Sequence, residues 1–195
     1  MNEDERLSVP GSELLHIRAG VETDATELAI FAARTFEETF GSQNRPKDLH
    51  AHLQKAFGIT QQTQELLNPN MVTLLAYHDA ALVAFAQVKR QGPPPGIFVE
   101  RPLELHRFYV DRVAHGKGVA QRLMLAVHTA ARAFEGQNLW LGVWERNPRA
   151  IAFYQKVGFV DRGCHDFFVG SDRQTDRVLV APVQPAGSEP ISIRA

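Results

Sequence analysis

The sequence predicts an α+β fold in which a mixed sheet of about seven strands carries helices on both faces. Three observations predict it. Apolar runs of strand length and stretches of helical period follow one another as strand, helix pair, hairpin, strand, helix, strand, helix, hairpin. Two glycines, Gly116 and Gly118, stand between a strand and a helix in mid-chain, the place for a tight turn. The 195 residues are 44% apolar and 22% charged, which suits one globular domain of ordinary size.

The elements follow in order. Residues 1–13 are polar and acidic and read as a mobile tail ahead of a single domain over 14–182. Leu14 to Arg18 reads as a short strand. Thr23 or Asp24 then offers an N-cap to a helix from Ala25 to Phe40, whose Leu28, Phe31, Ala32, Thr35 and Phe36 recur at helical spacing. A second helix is expected from Pro46 to Phe57 on the stripe Leu49, Leu53 and Phe57, and a shorter third from Thr60 to Leu67.

Asn68, Pro69 and Asn70 break the helical pattern, and Met71–Tyr77 and Ala81–Lys89 form a hairpin across His78 to Ala80. Gln91 to Gly96 is a proline-rich loop with few backbone donors. A strand from Glu104 to Val110 feeds the glycine turn, and a long helix follows on Val119, Leu123, Val127 and Ala130. Asn138 to Val143 reads as a buried strand. Asn147 and Pro148 open another helix, as N-cap and first helical residue, and it ends at Gly158. Phe159–Val169 and Arg177–Pro182 are the last strands, and 183–195 form a second tail.

Composition excludes several classes. A formal net charge of −1 with no polybasic run argues against a nucleic-acid partner. No apolar run is long enough to span a bilayer, and the amino terminus lacks a signal-peptide pattern, so neither a membrane partner nor export is expected. The single cysteine, Cys164, allows no internal disulfide and points to the cytoplasm.

The glycine turn is built for an anion. Gly116 and Gly118 let successive N–H groups converge, and the helix behind them adds unpaired first-turn donors and the positive end of its dipole. Arg112, Lys117 and Arg122 add positive charge around it. The pattern is neither a P-loop nor a Rossmann fingerprint, since the residue spacing of both is missing.

A second segment, Val143 to Phe159, lies about thirty residues on. It contains Asn147, Ala150, Phe153, Tyr154, Lys156, Gly158 and Phe159 in the pattern N-x-x-A-x-x-F-Y-x-K-x-G-F. With Tyr109, Val110 and the turn from His115 to Ala120, it resembles the GNAT superfamily of acetyl-CoA-dependent N-acetyltransferases, over about Leu14 to Pro182. The turn of that family reads [QR]-x-x-G-x-[GA]; here His115 occupies its first position, where the side chain mainly supports the shape of the loop.

The resemblance implies a mostly antiparallel GNAT-like sheet and an acetyl-CoA site with no metal. Phe108, Tyr109 and Val110 would border the pantetheine arm through their backbone. The amides of His115, Gly116, Lys117, Gly118, Val119 and Ala120 would take the diphosphate, and the thioester would enter a V-shaped gap before the strand from Asn138 to Val143. Tyr154 matches the tyrosine of the family and is the candidate general acid, since a phenol of pKa near 10 can donate to a thiolate placed beside it. Asn147 is a cofactor candidate as well as an N-cap, and the two roles are compatible.

Glu104 is the candidate base or water-ordering group. A solvated strand-end charge is an equal reading of it. Strict alternation groups Glu104, His106 and Phe108 on one face and Leu105, Arg107 and Tyr109 on the other, which makes His106 a rival base. His50 and His52 are too close in sequence to share a helical face and have no carboxylate cluster to complete a metal site. Cys164 and His165 point to opposite faces of a strand, so Cys164 reads as a packing residue and not as a nucleophile.

For the acceptor, Phe36, Glu37 and Glu38 on the first helix offer an aromatic and two carboxylates to a cationic amine, or else form an ordinary solvated face. That helix, with Leu141 to Asn147 and Gln174 to Asp176, looks like the polyamine (spermidine-type) acetyltransferases. The expected partner is therefore a small amine. Acetylation of a protein amine and a catalytically silent CoA-binding module are the alternatives. Homodimers through the last strands are common in such folds, and nothing in this sequence compels one.

Overall fold

The computed structural model describes residues 15–187. The expected tail over 1–13, and the part of 183–195 beyond 187, lie outside the described residues. The elements are β1 (Leu15–Ala19), α1 (Ala25–Phe40), α2 (Pro46–Phe57), α3 (Ile59–Leu66), β2 (Met71–His78), β3 (Ala81–Lys89), β4 (Pro102–Val110), α4 (Val119–Ala133), β5 (Asn138–Trp144), α5 (Pro148–Lys156), β6 (Val160–Val169) and β7 (Asp172–Pro182). Both expected helix boundaries of α1 and of α2 are observed. The last strand is longer than expected. Its polar start, Asp172 to Asp176, reads as loop in sequence, but it pairs residue by residue with Val169 back to His165 of β6.

The seven strands lie in the order β1-β2-β3-β4-β5-β7-β6. Every neighbouring pair is antiparallel except β4 and β5, which run parallel. Helices cover both faces. On one face, Leu123, Met124 and Val127 of α4, Tyr154 of α5 and Val157 just after it pack with Leu103, Leu105, Leu139, Leu141 and Leu179 of the sheet. On the other, Leu28, Phe31 and Phe36 of α1 and Leu49 and Phe57 of α2 pack with Leu75 and Phe85.

The parallel pair is the exception in length too. β4 and β5 are in register only from Pro102 opposite Asn138 to Glu104 opposite Trp140. Beyond that point β4 stays with β3 as far as Val110, and β5 stays with β7 as far as Trp144. The sheet therefore forks at Glu104 and Trp140. A bulge helps to open it: Gln87 faces Arg107 while Val88 faces Leu105, so His106 is an extra residue on β4, and such an insertion bends and twists its strand.

The bulge also corrects the alternation expected for this strand. Leu105 and Phe108 share the α4–α5 face, whereas Tyr109 belongs to the α1–α2 core and Arg107 donates to Glu65 of α3. One inserted residue shifts the period of two by one place, so Glu104 now groups with Arg107 and Tyr109 instead of with Phe108.

Candidate active site

A cavity of about 390 Å³ runs through the fork. Phe108, Val110, Val143, Phe153 and Tyr154 line it on the α4–α5 side, and Phe36, Phe40, Trp144, Phe167 and Tyr109 on the α1–α2 side. Because a sheet is normally closed by its ladder, only a fork allows one cavity to reach both faces.

The turn after β4 lies at one mouth. Asp111 accepts from the Val113 amide at 3.1 Å and from Arg34 of α1 at 2.5 Å, which fixes where the turn begins. Gly116 and Gly118 have φ of 76° and 77°, a left-handed conformation that favours glycine, and Gly118 is the residue before α4. The amide of His115 donates to the Arg112 carbonyl. The amides of Gly116, Lys117, Gly118, Val119 and Ala120 have no acceptor among the described residues. The expected row of anion donors is thus shorter by one: the first amide is already used inside the turn.

The His115 side chain lines the cavity and donates from Nε2 to the Val110 carbonyl, 3.0 Å away. Burial lowers its pKa, which favours the neutral ring in this role. Among the expected basic residues, Lys117 is exposed and Arg112 lines the cavity, but Arg122 turns away to donate to the Leu15 carbonyl at 2.8 Å. Arg149, on the first turn of α5, lines the cavity instead. It lies two residues past Asn147, which accepts from the Ala150 amide at 3.1 Å as an N-cap and lines the cavity as well.

Tyr154 sits deep at the fork, 8% exposed and ringed by Phe108, Phe153 and Phe159. Of the adjacent aromatics it is Tyr154, not Phe153, that is the more buried. Its hydroxyl has no hydrogen-bond partner among the described residues, and burial pushes its pKa upward, so the phenol keeps its proton. Tyr109 behaves likewise, pushed up to about 12 by burial, with its ring stacked on Phe85.

Across the fork, Glu104 and His106 come together, with 3.0 Å between Oε1 and Nδ1. Oε2 of Glu104 is buried without a hydrogen-bond partner, and Lys89 Nζ is 3.9 Å from it. The two rival bases are therefore one hydrogen-bonded unit. Arg107 beside them is held by Glu65, Gln87 at 2.8 Å and the Ala56 carbonyl at 3.0 Å, which pins β4 to α3. Against the opposing pull of burial, Arg107 with Gln61 and Gln87 holds the Glu65 carboxyl below its usual range.

The three acceptor candidates on α1 separate. Phe36 is buried against the cavity, and Glu38 lines it while taking Arg34 at 3.0 Å. Glu37 is exposed and lies off the cavity, since one helical residue turns its side chain about 100° from either neighbour. His50 bonds Gln54, and His52 stacks on Phe36; no group of three or more His, Cys, Asp or Glu among the described residues is placed to hold a metal ion. Cys164 is exposed and not packed, because β6 is an edge strand whose outer face is uncovered. Its neighbour His165 points inward and lines the cavity, as do Asp176 and Gly142. Gly142 and Asp176 fall within the segments, Leu141 to Asn147 and Gln174 to Asp176, that look like the polyamine acetyltransferases, whereas no spacing in the sequence placed His165 or Arg149 in a site. No helix among the described residues is long and apolar enough to cross a membrane.

Comparison with known proteins adds independent findings. The model of the acetyltransferase (GNAT) family matches residues 32–159. An uncharacterised N-acetyltransferase of Mycobacterium tuberculosis is 32% identical over 158 residues, 81% of this chain and 97% of that protein. A spermine/spermidine N(1)-acetyltransferase of Bacillus subtilis is 29% identical over 99 residues, 47% of this chain and 60% of that one. The crystal structure of PaiA N-acetyltransferase from Thermoplasma acidophilum, in complex with coenzyme A, superposes with a TM-score of 0.72 at 18% identity, over 87% of this chain and 99% of that one.

Proposed function

The chain belongs to the acetyltransferase (GNAT) family, and from that premise we propose that its acetyl-CoA-dependent N-acetyltransferase activity serves a small polyamine-like primary amine, with Tyr154 as general acid and Glu104 as base. The observation that carries the reading is the cavity through the fork, with the buried phenol of Tyr154 on one face and the half-buried Glu104, one carboxylate oxygen of which is buried, on the other. Acetyl-CoA suits the α4–α5 side. Five turn amides without acceptors, from Gly116 to Ala120, and the arginines Arg112 and Arg149 match a diphosphate. The backbone of Phe108 to Val110, released from β5 by the fork, offers an edge for the pantetheine amides.

The amine enters from the α1–α2 side and must be neutral to attack. Glu104, in its bond with His106, accepts the proton, directly or through water. Nitrogen bonds to the thioester carbon, the tetrahedral adduct collapses, and the C–S bond breaks. Tyr154 supplies a proton to the departing thiolate, and its burial keeps that proton in place until then. Carboxylates on the acceptor side, Glu104, Glu38 and Asp176, favour a cationic amine, and the likeness to a spermine/spermidine N(1)-acetyltransferase over 47% of the chain supports the class.

Release of free thiol from acetyl-CoA across monoamines, polyamines and lysine-bearing peptides tests the reading. Turnover is expected to be highest with polyamines. Tight CoA binding with no thiol release on any amine would overturn the activity, and turnover confined to peptides would overturn the substrate class.

A further inference from the structure

Four acidic residues are buried among the described residues: Asp24, Glu65, Asp111 and Asp176. Three of them hold an arginine, since Asp24 takes Arg18, Glu65 takes Arg107 and Asp111 takes Arg34. Asp176, 8% exposed, takes none; its side chain has no hydrogen bond among the described residues, and its Oδ1 is buried without a partner. A buried carboxylate without a cation is costly, and one that lines a cavity is a candidate for holding a ligand.

What surrounds Asp176 points outward into the cavity. A Cβ built on Gly142 would come within 3.0 Å of Asp176 Oδ2 and 2.9 Å of His165 Nε2, so both polar atoms lie directly over the glycine and a side chain there would displace them. Gly142 is open to the cavity there, and His165 lies directly opposite Asp176 in the β6–β7 ladder. Trp144, opposite Asp176 in the β5–β7 ladder, meets Phe40 of α1 edge to face at 6.0 Å, which adds aromatic walls suited to a cation. Burial raises the Asp176 pKa to about 6, against the opposing pull of the neighbouring His165.

The position relative to Glu104 sets the purpose. Glu104 is level with Trp140 at the base of the fork and Asp176 is level with Trp144 at its open end. Four residues of strand separate the two levels by about 13 Å. Resting on the amine acetyltransferase reading, we propose that Asp176, held on the cavity wall beside His165 and over Gly142, binds a second positive charge of the acceptor, so that the enzyme selects diamines and polyamines over monoamines. The reacting nitrogen then lies at the fork while the second cation is held toward the open end.

Calorimetry of putrescine and of butylamine, each titrated into the full chain saturated with CoA, tests this without requiring turnover. Putrescine is expected to bind about tenfold or more tighter than butylamine, the size of one charge-assisted contact. Asp176→Asn, which keeps the shape and removes the charge, should bring the two affinities within about threefold of each other. Gly142→Ala, which keeps the charge and displaces the carboxylate from its place over the glycine, should do the same. Equal affinities in the unaltered protein, or a tenfold preference that survives both substitutions, would overturn the subsite. Acetyl transfer is read separately. Tight putrescine binding without thiol release contradicts the reaction and leaves the subsite standing, whereas equal transfer to both amines contradicts the subsite alone. Loss of transfer to both amines in Asp176→Asn, with the binding preference intact, would make Asp176 a base and overturn its role as an anchor.

Discussion

The two faces of the forked sheet build their halves of one cavity by different means. On the α4–α5 face the work falls to backbone: two glycines with φ of 76° and 77°, a row of free amides and the start of α4, all within Gly116 to Ala120. On the α1–α2 face the lining is made of side chains from α1, β4, β5, β6 and β7, such as Phe36, Glu104, Trp144, Phe167 and Asp176. On the proposed reading, the backbone site would recognise what every CoA ester shares, whereas a side-chain site can be altered one residue at a time. The difference teaches why a backbone site is readable in the chain, while the side-chain half would carry the individuality of the enzyme.

Three substitutions would break or sharpen that contrast. The largest effect is expected at Tyr154, where the halves meet. Tyr154→Phe should lower kcat by about 10²–10³-fold, the usual weight of a positioned acid, and leave KM for acetyl-CoA within about threefold. Steady-state thiol release measures both; undiminished kcat would reduce the cofactor face to binding alone.

Asp176→Asn comes next and acts on stability. Burial holds the native carboxyl at about 6, above its ordinary 3.8. The native state therefore binds the proton more tightly, stability falls as pH rises from about 4 to 6, and the full cost is present above that window. Removing the charge should raise stability by roughly 2–3 kcal/mol at pH 7.5 and by almost nothing at pH 3.5. Urea unfolding of both proteins at the two pH values decides it. A lower stability at pH 7.5 would mean that the chain itself supplies a partner to Asp176.

Gly118→Ala is the mildest. Forcing a Cβ into a left-handed residue costs roughly 1–2 kcal/mol, and no neighbouring atom lies within 4 Å to add a clash. KM for acetyl-CoA should rise about tenfold with the acceptor KM unchanged, since 1.4 kcal/mol is one decade. An equal rise in both constants would erase the division between the faces.

Much of this was visible in the chain. Helical periods and cap residues are local, so α1, α2 and the Asn147 cap of α5 appear where Leu28 to Phe36, Pro46 and Asn147 put them. The expectation failed where an element depends on a partner. The first residues of β7 are polar and become strand only because β6 lies beside them. The face of Arg107 and Tyr109 reversed because His106 is extra only relative to β3. Glu37 and Arg122 have the right charge for their expected tasks, yet one faces solvent and the other is taken by the Leu15 carbonyl.

The sequence by itself determined the order of elements, the glycine turn and the tyrosine behind it, because backbone conformation and short-range spacing are properties of neighbours in the chain. Only the tertiary structure decided that the sheet forks at Glu104 and Trp140, that Glu104 meets His106, and that Asp176 and His165 converge over Gly142. These depend on register between strands far apart in sequence, where one inserted residue changes which side chains share a cavity.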